Sequence, residues 1–113
     1  MVKKENAWRP LVYICSPYSG DTERNTANAI RYSRFAVDSG AIPLAPHLLL
    51  PQYMRESDER NLAILMDLEI LGRCDEMWVF GRMRSKGMEI EIAEAKERSI
   101  PIRYFTEDIM EVT

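Results

Sequence analysis

The run Met77-Trp78-Val79-Phe80-Gly81, followed three residues later by Ser85-Lys86-Gly87-Met88-Glu89-Ile90-Glu91-Ile92-Ala93, decides how this chain is read. The first piece is a short apolar run of strand length. The second opens a helical pattern whose apolar stripe passes through Met88, Ile92 and Ala95. A loop that leaves a strand and enters a helix through Ser and Gly carries free backbone N–H groups, which attract anions. Two carboxylates, Glu89 and Glu91, stand at the start of that helix. A carboxylate at the mouth of a strand–helix turn is a candidate nucleophile or base. Two residues on a helix are separated by roughly 200°, so both cannot face one cleft. Glu91 lies nearer the apolar stripe, and Glu89 has Lys86 beside it as a surface partner. The pattern favours Glu91 as the site residue, against the alternative that both are solvated helix charges.

The segments on either side repeat the same alternation. Leu11-Val12-Tyr13-Ile14-Cys15 is β-branched and aromatic and reads as a buried strand ending at Ser16-Pro17. Asp21 or Thr22 can cap a helix that runs to about Ser39, placing Ala29, Ile30, Phe35, Ala36 and Val37 toward a core, with Gly40 just past its end. Residues 41–45 form a short second strand, which Pro43 and the following Pro46 consign to an edge. Residues 46–56 are a loop whose Leu48-Leu49-Leu50 reads either as a pocket wall or partner contact, or as a helical turn packed on the core. Ser57 is taken as the cap of a helix over residues 58–73, a third strand covers residues 76–80, a helix residues 86–98, and a last strand residues 100–105. The tail, 106–113, reads as one helical turn. Strands separated by helices imply parallel pairing and right-handed crossovers, hence an α/β fold with a small doubly wound sheet and helices on both faces. Ligands bind such sheets beyond the carboxyl ends of the strands.

The bulk properties narrow the function. A chain of 113 residues, 46% hydrophobic and 29% charged, fits one ordinary globular domain spanning 1–113. A net charge of −3 with signs mixed along the chain gives no electrostatic case for a nucleic-acid polymer. No apolar run is long enough to span a membrane. The polar residues 1–7 lack the apolar core of a leader, and two widely spaced cysteines, Cys15 and Cys74, read as free thiols in a reducing compartment, so a cytoplasmic location is expected. One histidine and two cysteines compose no zinc site, and neither a metal nor a redox cofactor is implied.

Two further features break their local pattern. Asp67 has Ala63, Ile64, Ile70 and Leu71 as helical neighbours, and a carboxylate inside an apolar stripe needs a partner or a polar cavity. Its alternative is a tie to another helix or to backbone. Ser16-Pro17-Tyr18-Ser19-Gly20-Asp21 follows the first strand, where a ligand loop belongs, and can hydrogen-bond a sugar or phosphate. It has the spacing neither of a Walker loop nor of a dinucleotide fingerprint. His47, after the second strand, reads first as a loop or core-edge histidine and second as a substrate contact.

These residues resemble the nucleoside 2-deoxyribosyltransferase superfamily, in particular its small members of the DUF4406 type. Four marks in order carry the resemblance over residues 11–104: Val12 to Tyr18 as opening strand and loop, Gly40 to Pro46 as second strand, Asp67 with Asp75 as an aspartate pair, and Ser85-x-Gly87-x-x-x-Glu91 as catalytic turn. The resemblance implies a flavodoxin-like three-layer α/β/α domain with four to five strands. It implies a hydrolase or transferase acting on the N-glycosidic bond of a nucleoside or nucleotide, with Glu91 attacking the anomeric carbon to form a glycosyl-glutamate. Asp67 is then an active-site acid, Tyr13 orients the carboxylate, and Ser85 holds a 5′-phosphate. Ser16, Pro17, Tyr18, Ser19, Gly20, His47, Gly87 and Met88 complete the expected substrate contacts, the Gly87 and Met88 amides facing an anion to which Lys86 and Arg84 add charge. The alternative is a non-catalytic nucleotide sensor of the same fold, since Pro17 and Ser19 stand where the nucleotide-cleaving branch has Ser and Arg, and since the chain is shorter than the transferases. Sites assembled between subunits imply a homodimer or larger homo-oligomer, for which Leu48, Leu49, Leu50, Tyr53, Met54 and the helix over 58–73 offer apolar surface.

Overall fold

A computed structural model describes residues 7–113; residues 1–6, where no leader was expected, lie outside the described residues. The elements are β1 (Leu11–Cys15), α1 (Thr22–Asp38), β2 (Ile42–Leu44), two single 3-10 turns (Pro46–Leu48 and Leu50–Gln52), α2 (Glu56–Leu71), β3 (Glu76–Phe80), α3 (Lys86–Glu97), β4 (Ile102–Phe105) and β5 (Glu111–Val112). The sheet runs in the order β2-β1-β3-β4-β5, with β5 alone antiparallel. The expected α/β fold is therefore observed, and β2 with its proline is an edge strand.

Alternation along β1 and β3 builds two cores. Val12, Ile14, Trp78 and Phe80 point to one face, where α1 covers them with Tyr32 and Ala36. Tyr13, Cys15, Met77 and Val79 point to the other, against Leu71 of α2 and Met88, Ile92 and Ala95 of α3. The result is three layers. On the α1 side, Tyr32, Phe80 and Phe105 form a stack with ring centroids 4.2 and 4.8 Å apart. Each such ring contributes roughly 1.5–3 kcal/mol by leaving water. The chain goes from β1 to β2 on one side and then to β3 on the other, so the strand order reverses between β1 and β3. That reversal opens a crevice at their carboxyl ends.

Several local expectations need correction. Ile30 and Val37 of α1 face solvent, because the buried face follows Ala29, Tyr32 and Ala36, at spacings of three and four residues. Asp21 is the cap of α1, its Oδ1 accepting from the Arg24 amide at 3.1 Å, and Gly40 takes the left-handed conformation (φ +87°) that ends the helix. Helix α2 begins at Glu56, not Asp58. Its cap is Arg55, whose amide donates to the Glu59 carboxylate at 2.8 Å, so Ser57 lies inside the first turn. The tail forms no helical turn. Thr106 to Met110 makes a tight turn, with the Thr106 amide donating to the Met110 carbonyl, and returns the chain as β5. Ile109 is driven to φ +63° in that turn because its side chain packs on the α1-side core. The three leucines divide: Leu48 packs on the core, Leu49 is exposed, and Leu50 is buried.

Candidate active site

The carboxyl end of β1 and the starts of α2 and α3 enclose a cavity of about 300 Å³. Tyr13 and Cys15, at alternate positions of β1, are buried in the core and do not line it themselves. Glu91 comes from the second turn of α3 and Asp67 from the fourth turn of α2. The Tyr13 hydroxyl donates to Glu91 Oε2 at 2.9 Å. The Cys15 thiol lies near the same carboxyl and acts to lower its pKa. Asp67 lines the cavity beside Glu91, and its Oδ1 is buried with no hydrogen-bond partner. A buried, unsatisfied carboxyl oxygen is costly in a folded protein unless something else satisfies it. Asp67 stands against Glu91, and among the described residues it makes none of the helix or backbone ties that were its alternative.

The surroundings set the charge states. Burial pushes Glu91 up to about 8, and the Asp67 carboxyl adds to that, while the Tyr13 hydroxyl and the Cys15 thiol pull it down. Burial pushes Asp67 up to about 6. The two titrate as a pair that carries one proton between those values. Tyr13 and Cys15 are both raised well above their ordinary values, by burial first and by Glu91 second, so each keeps its proton. Tyr13→Phe keeps the ring and removes only the donor. A hydrogen bond to a charged group contributes about 1.5–3 kcal/mol, so any Glu91-dependent turnover should fall by roughly ten- to a hundredfold. The acid limb of its pH profile should move upward, because the Glu91 carboxylate has lost its neutral partner.

Ser16, Tyr18, Ser19, His47, Ser85, Gly87 and Met88 line the same cavity. Ser16 Oγ lies 3.1 Å from His47 Nε2. Burial lowers His47 to about 4, so the imidazole is neutral near pH 7. Asn25 Nδ2 donates to the carbonyls of Tyr18 and Ser19 at 3.1 and 3.0 Å, fixing the first loop from behind. Two expected contacts do not join. Pro17 faces a separate cavity on the α1 side, and Gly20 (φ +94°) shapes the turn into α1 without lining the site. Ser85 caps α3, its Oγ accepting from the Met88 amide at 3.2 Å. The Met88 amide is thus occupied, and the open amides at this end are those of Lys86 and Gly87. Lys86 lines the cavity, whereas Arg84 lies elsewhere, its guanidinium 5.0 Å over the Tyr104 ring. Asp75 is also remote, accepting from the Leu11 amide at 2.7 Å at the other end of β1.

Glu56 and Arg60 line the cavity without having been singled out by sequence. The signal was present: Glu56, Arg60, Ala63, Ile64 and Asp67 fall at i, i+4, i+7, i+8 and i+11, one face of α2. Among the described residues no cluster of three or more His, Cys, Asp and Glu side chains is placed to hold a metal ion. None of the described helices is long and apolar enough to cross a membrane.

A family model described as a domain of unknown function, DUF7768, matches residues 10–105. The chain belongs to the DUF7768 family. The model that matches is thus not DUF4406, the type that the sequence resembled. No curated protein matches the chain. Among solved structures, the DUF7768 chain is similar to a 2-deoxyribosyltransferase from the psychrotolerant bacterium Bacillus psychrosaccharolyticus, described as a biocatalyst for nucleoside synthesis. The identity is 21%, the TM-score 0.63, and the match covers 91% of this chain and 76% of that one. The likeness establishes the fold, the flavodoxin-like arrangement expected from the resemblance.

Proposed function

We propose that this DUF7768 protein cleaves or transfers the N-glycosidic bond of a nucleoside or nucleotide through a covalent glycosyl-glutamate. The observation that carries the reading is the pairing of Glu91, held by the Tyr13 hydroxyl, with Asp67, whose buried Oδ1 has no hydrogen-bond partner, in one cavity at the β1/β3 reversal. A Glu91 oxygen attacks C1′, the C1′–N bond breaks, and the departing base takes the proton shared by the acidic pair. Water or a second base then attacks C1′ from the face the first base left, and the C1′–O bond to Glu91 breaks. The attacking water or base gives up its O–H or N–H proton, which returns to the pair. Two inversions give overall retention, the logic of retaining glycosidases. Incubation with a panel of deoxynucleosides and their 5′-phosphates, followed by chromatography for free base, tests the reaction. Mass spectrometry of a quenched digest should find a glycosyl adduct on the peptide containing Glu91. Base release without that adduct, and undiminished in Glu91→Gln, would exclude the mechanism.

The same reading includes a homodimer and a cytoplasmic setting, the latter supported by the unpaired thiols of Cys15 and Cys74. Helix α2 presents Leu62, Leu65 and Met66 to solvent, and Leu49 and Tyr53 before it are exposed too. Leu48 packs on the core and Leu50 is buried. Exposed apolar side chains on one helix face mark a candidate association surface. Light scattering should give twice the chain mass at micromolar concentration, and Leu65→Glu should halve it. A monomeric wild-type protein at high concentration would refute the dimer.

A further inference from the structure

The mouth of the cavity is built from two helices that start at the same edge of the sheet. Asp67 lies seven residues after Arg60, about 10 Å along α2, and Glu91 six residues after Ser85, about 9 Å along α3. Asp67 and Glu91 line one cavity, and Arg60, Ser85 and Lys86 line it too. Arg60 belongs to its α2 wall, and Ser85 and Lys86 to its α3 wall. The Lys86 ammonium makes no ion pair among the described residues. Arg60 has only Glu56, at 3.5 Å, and that pair is open to solvent on both sides. Such an exposed pair is weakly held and exchanges readily for a better anion.

We infer that the mouth takes the phosphate chain of a nucleoside 5′-diphosphate or triphosphate, with the first phosphate on the α3 wall and a distal phosphate on Arg60 across the opening. The inference rests on the nucleoside reading of the cavity and goes beyond it in naming the phosphorylation state. On the α3 wall the Lys86 and Gly87 amides are open, and the Ser85 hydroxyl keeps its proton to donate while its oxygen caps the helix. These groups with the Lys86 ammonium satisfy one phosphate. Arg60 belongs to the other helix, carries a permanent charge and presents a planar fork suited to phosphate oxygens. It lines the same cavity as Ser85 and Lys86, which makes its guanidinium the group assigned to the second phosphate. Glu56 opposes that phosphate as a like charge and must release Arg60 when it binds, which makes it a discriminating residue of opposite sign.

Isothermal calorimetry on Glu91→Gln protein, which cannot form the glycosyl intermediate, reads this directly, using a deoxynucleoside and its 5′-monophosphate and 5′-triphosphate as probes. The triphosphate should bind at least about tenfold more tightly than the monophosphate, the scale of one charge-assisted contact. Adding Arg60→Gln should abolish that advantage and leave nucleoside and monophosphate affinities unchanged. Adding Glu56→Gln should enlarge it, an effect that a merely structural role for the pair would not give. Equal affinity for monophosphate and triphosphate, or a triphosphate advantage that survives Arg60→Gln, overturns the inference. Base release by the wild-type protein is measured in parallel. Glu91-dependent release with no triphosphate advantage leaves the catalytic reading standing alone. Arg60-dependent triphosphate binding without base release supports the inference and removes catalysis. Failure of all three probes to bind overturns both.

Discussion

Glu91→Ala is expected to lower base release by roughly four orders of magnitude or more, the scale of losing a covalent nucleophile. Glu91 receives the Tyr13 hydroxyl, and it sits in the second turn of α3 among the residues that line the cavity. Glu89→Ala is the control. Glu89 is two residues away, exposed, and absent from the cavity lining, so its loss should change turnover by less than about twofold, the usual size of a surface substitution. Circular dichroism should show both variants folded. Glu91→Gln, of the same shape, repeats the test without leaving space behind. Equal losses in the Glu89 and Glu91 variants, or activity persisting in both Glu91 variants, would place the nucleophile elsewhere.

The legible part of this fold was what periodicity controls. β1 and β3 are short apolar runs, and burial on both faces leaves no other reading for them. Pro43 gave the edge position of β2, because a residue without an amide donor belongs there. The pairing of Asp67 with Glu91 could be anticipated only as two separate anomalies. Nothing in the sequence sets the height of α2 against α3, and the packing of the two helices decides it. The Arg60 stripe was readable in principle, but a charged i,i+4 pair with Glu56 looks like ordinary helix surface until its wall is known to face a cavity. The tail misled for a different reason. Ile109 needs the α1-side core more than it needs a relaxed backbone, so the chain turns sharply at Thr106 and pairs as β5. A left-handed β-branched residue costs about 1–3 kcal/mol, a penalty only tertiary packing offsets and no local propensity foretells.

Cys15 shows how a residue that sequence treats as inert enters the chemistry. Alternation along β1 puts it on the same face as Tyr13, two positions further toward the carboxyl end. It thereby comes near Glu91 and acts to lower its pKa. The strand holds the helix-borne carboxylate through the Tyr13 hydroxyl, and both Tyr13 and Cys15 are part of a packed core. That rigidity favours a fixed angle of attack, which is where positioning contributes most to rate.

Asp67→Asn separates the acid of the proposed reaction from its nucleophile. The variant keeps shape and polarity but cannot carry the pair's proton. Loss of a general acid lowers turnover by about 10²–10⁴-fold. The loss should depend on the leaving group. A 7-methylpurine nucleoside already carries positive charge on its base and departs without a proton, so Asp67→Asn should cleave it nearly as fast as wild type does. With ordinary purine or pyrimidine nucleosides, wild-type activity should be bell-shaped in pH, with limbs near 6 and 8, where the pair is first fully protonated and then fully ionised. The variant should lose the alkaline limb, because no acid remains to be titrated. Stability should move the other way. Both carboxyls hold their protons more tightly folded than unfolded, so wild-type stability is greatest below their ordinary range and falls as pH rises through about 6 and then about 8. Asp67→Asn removes one buried charge and lowers the repulsion on the other. Denaturant unfolding at pH 5.5 and 8.5 should therefore show a smaller decline for the variant than for wild type. A variant that loses activity on the methylated and the ordinary nucleoside alike, with an unchanged decline in stability, would show that Asp67 neither donates the proton nor shares one with Glu91.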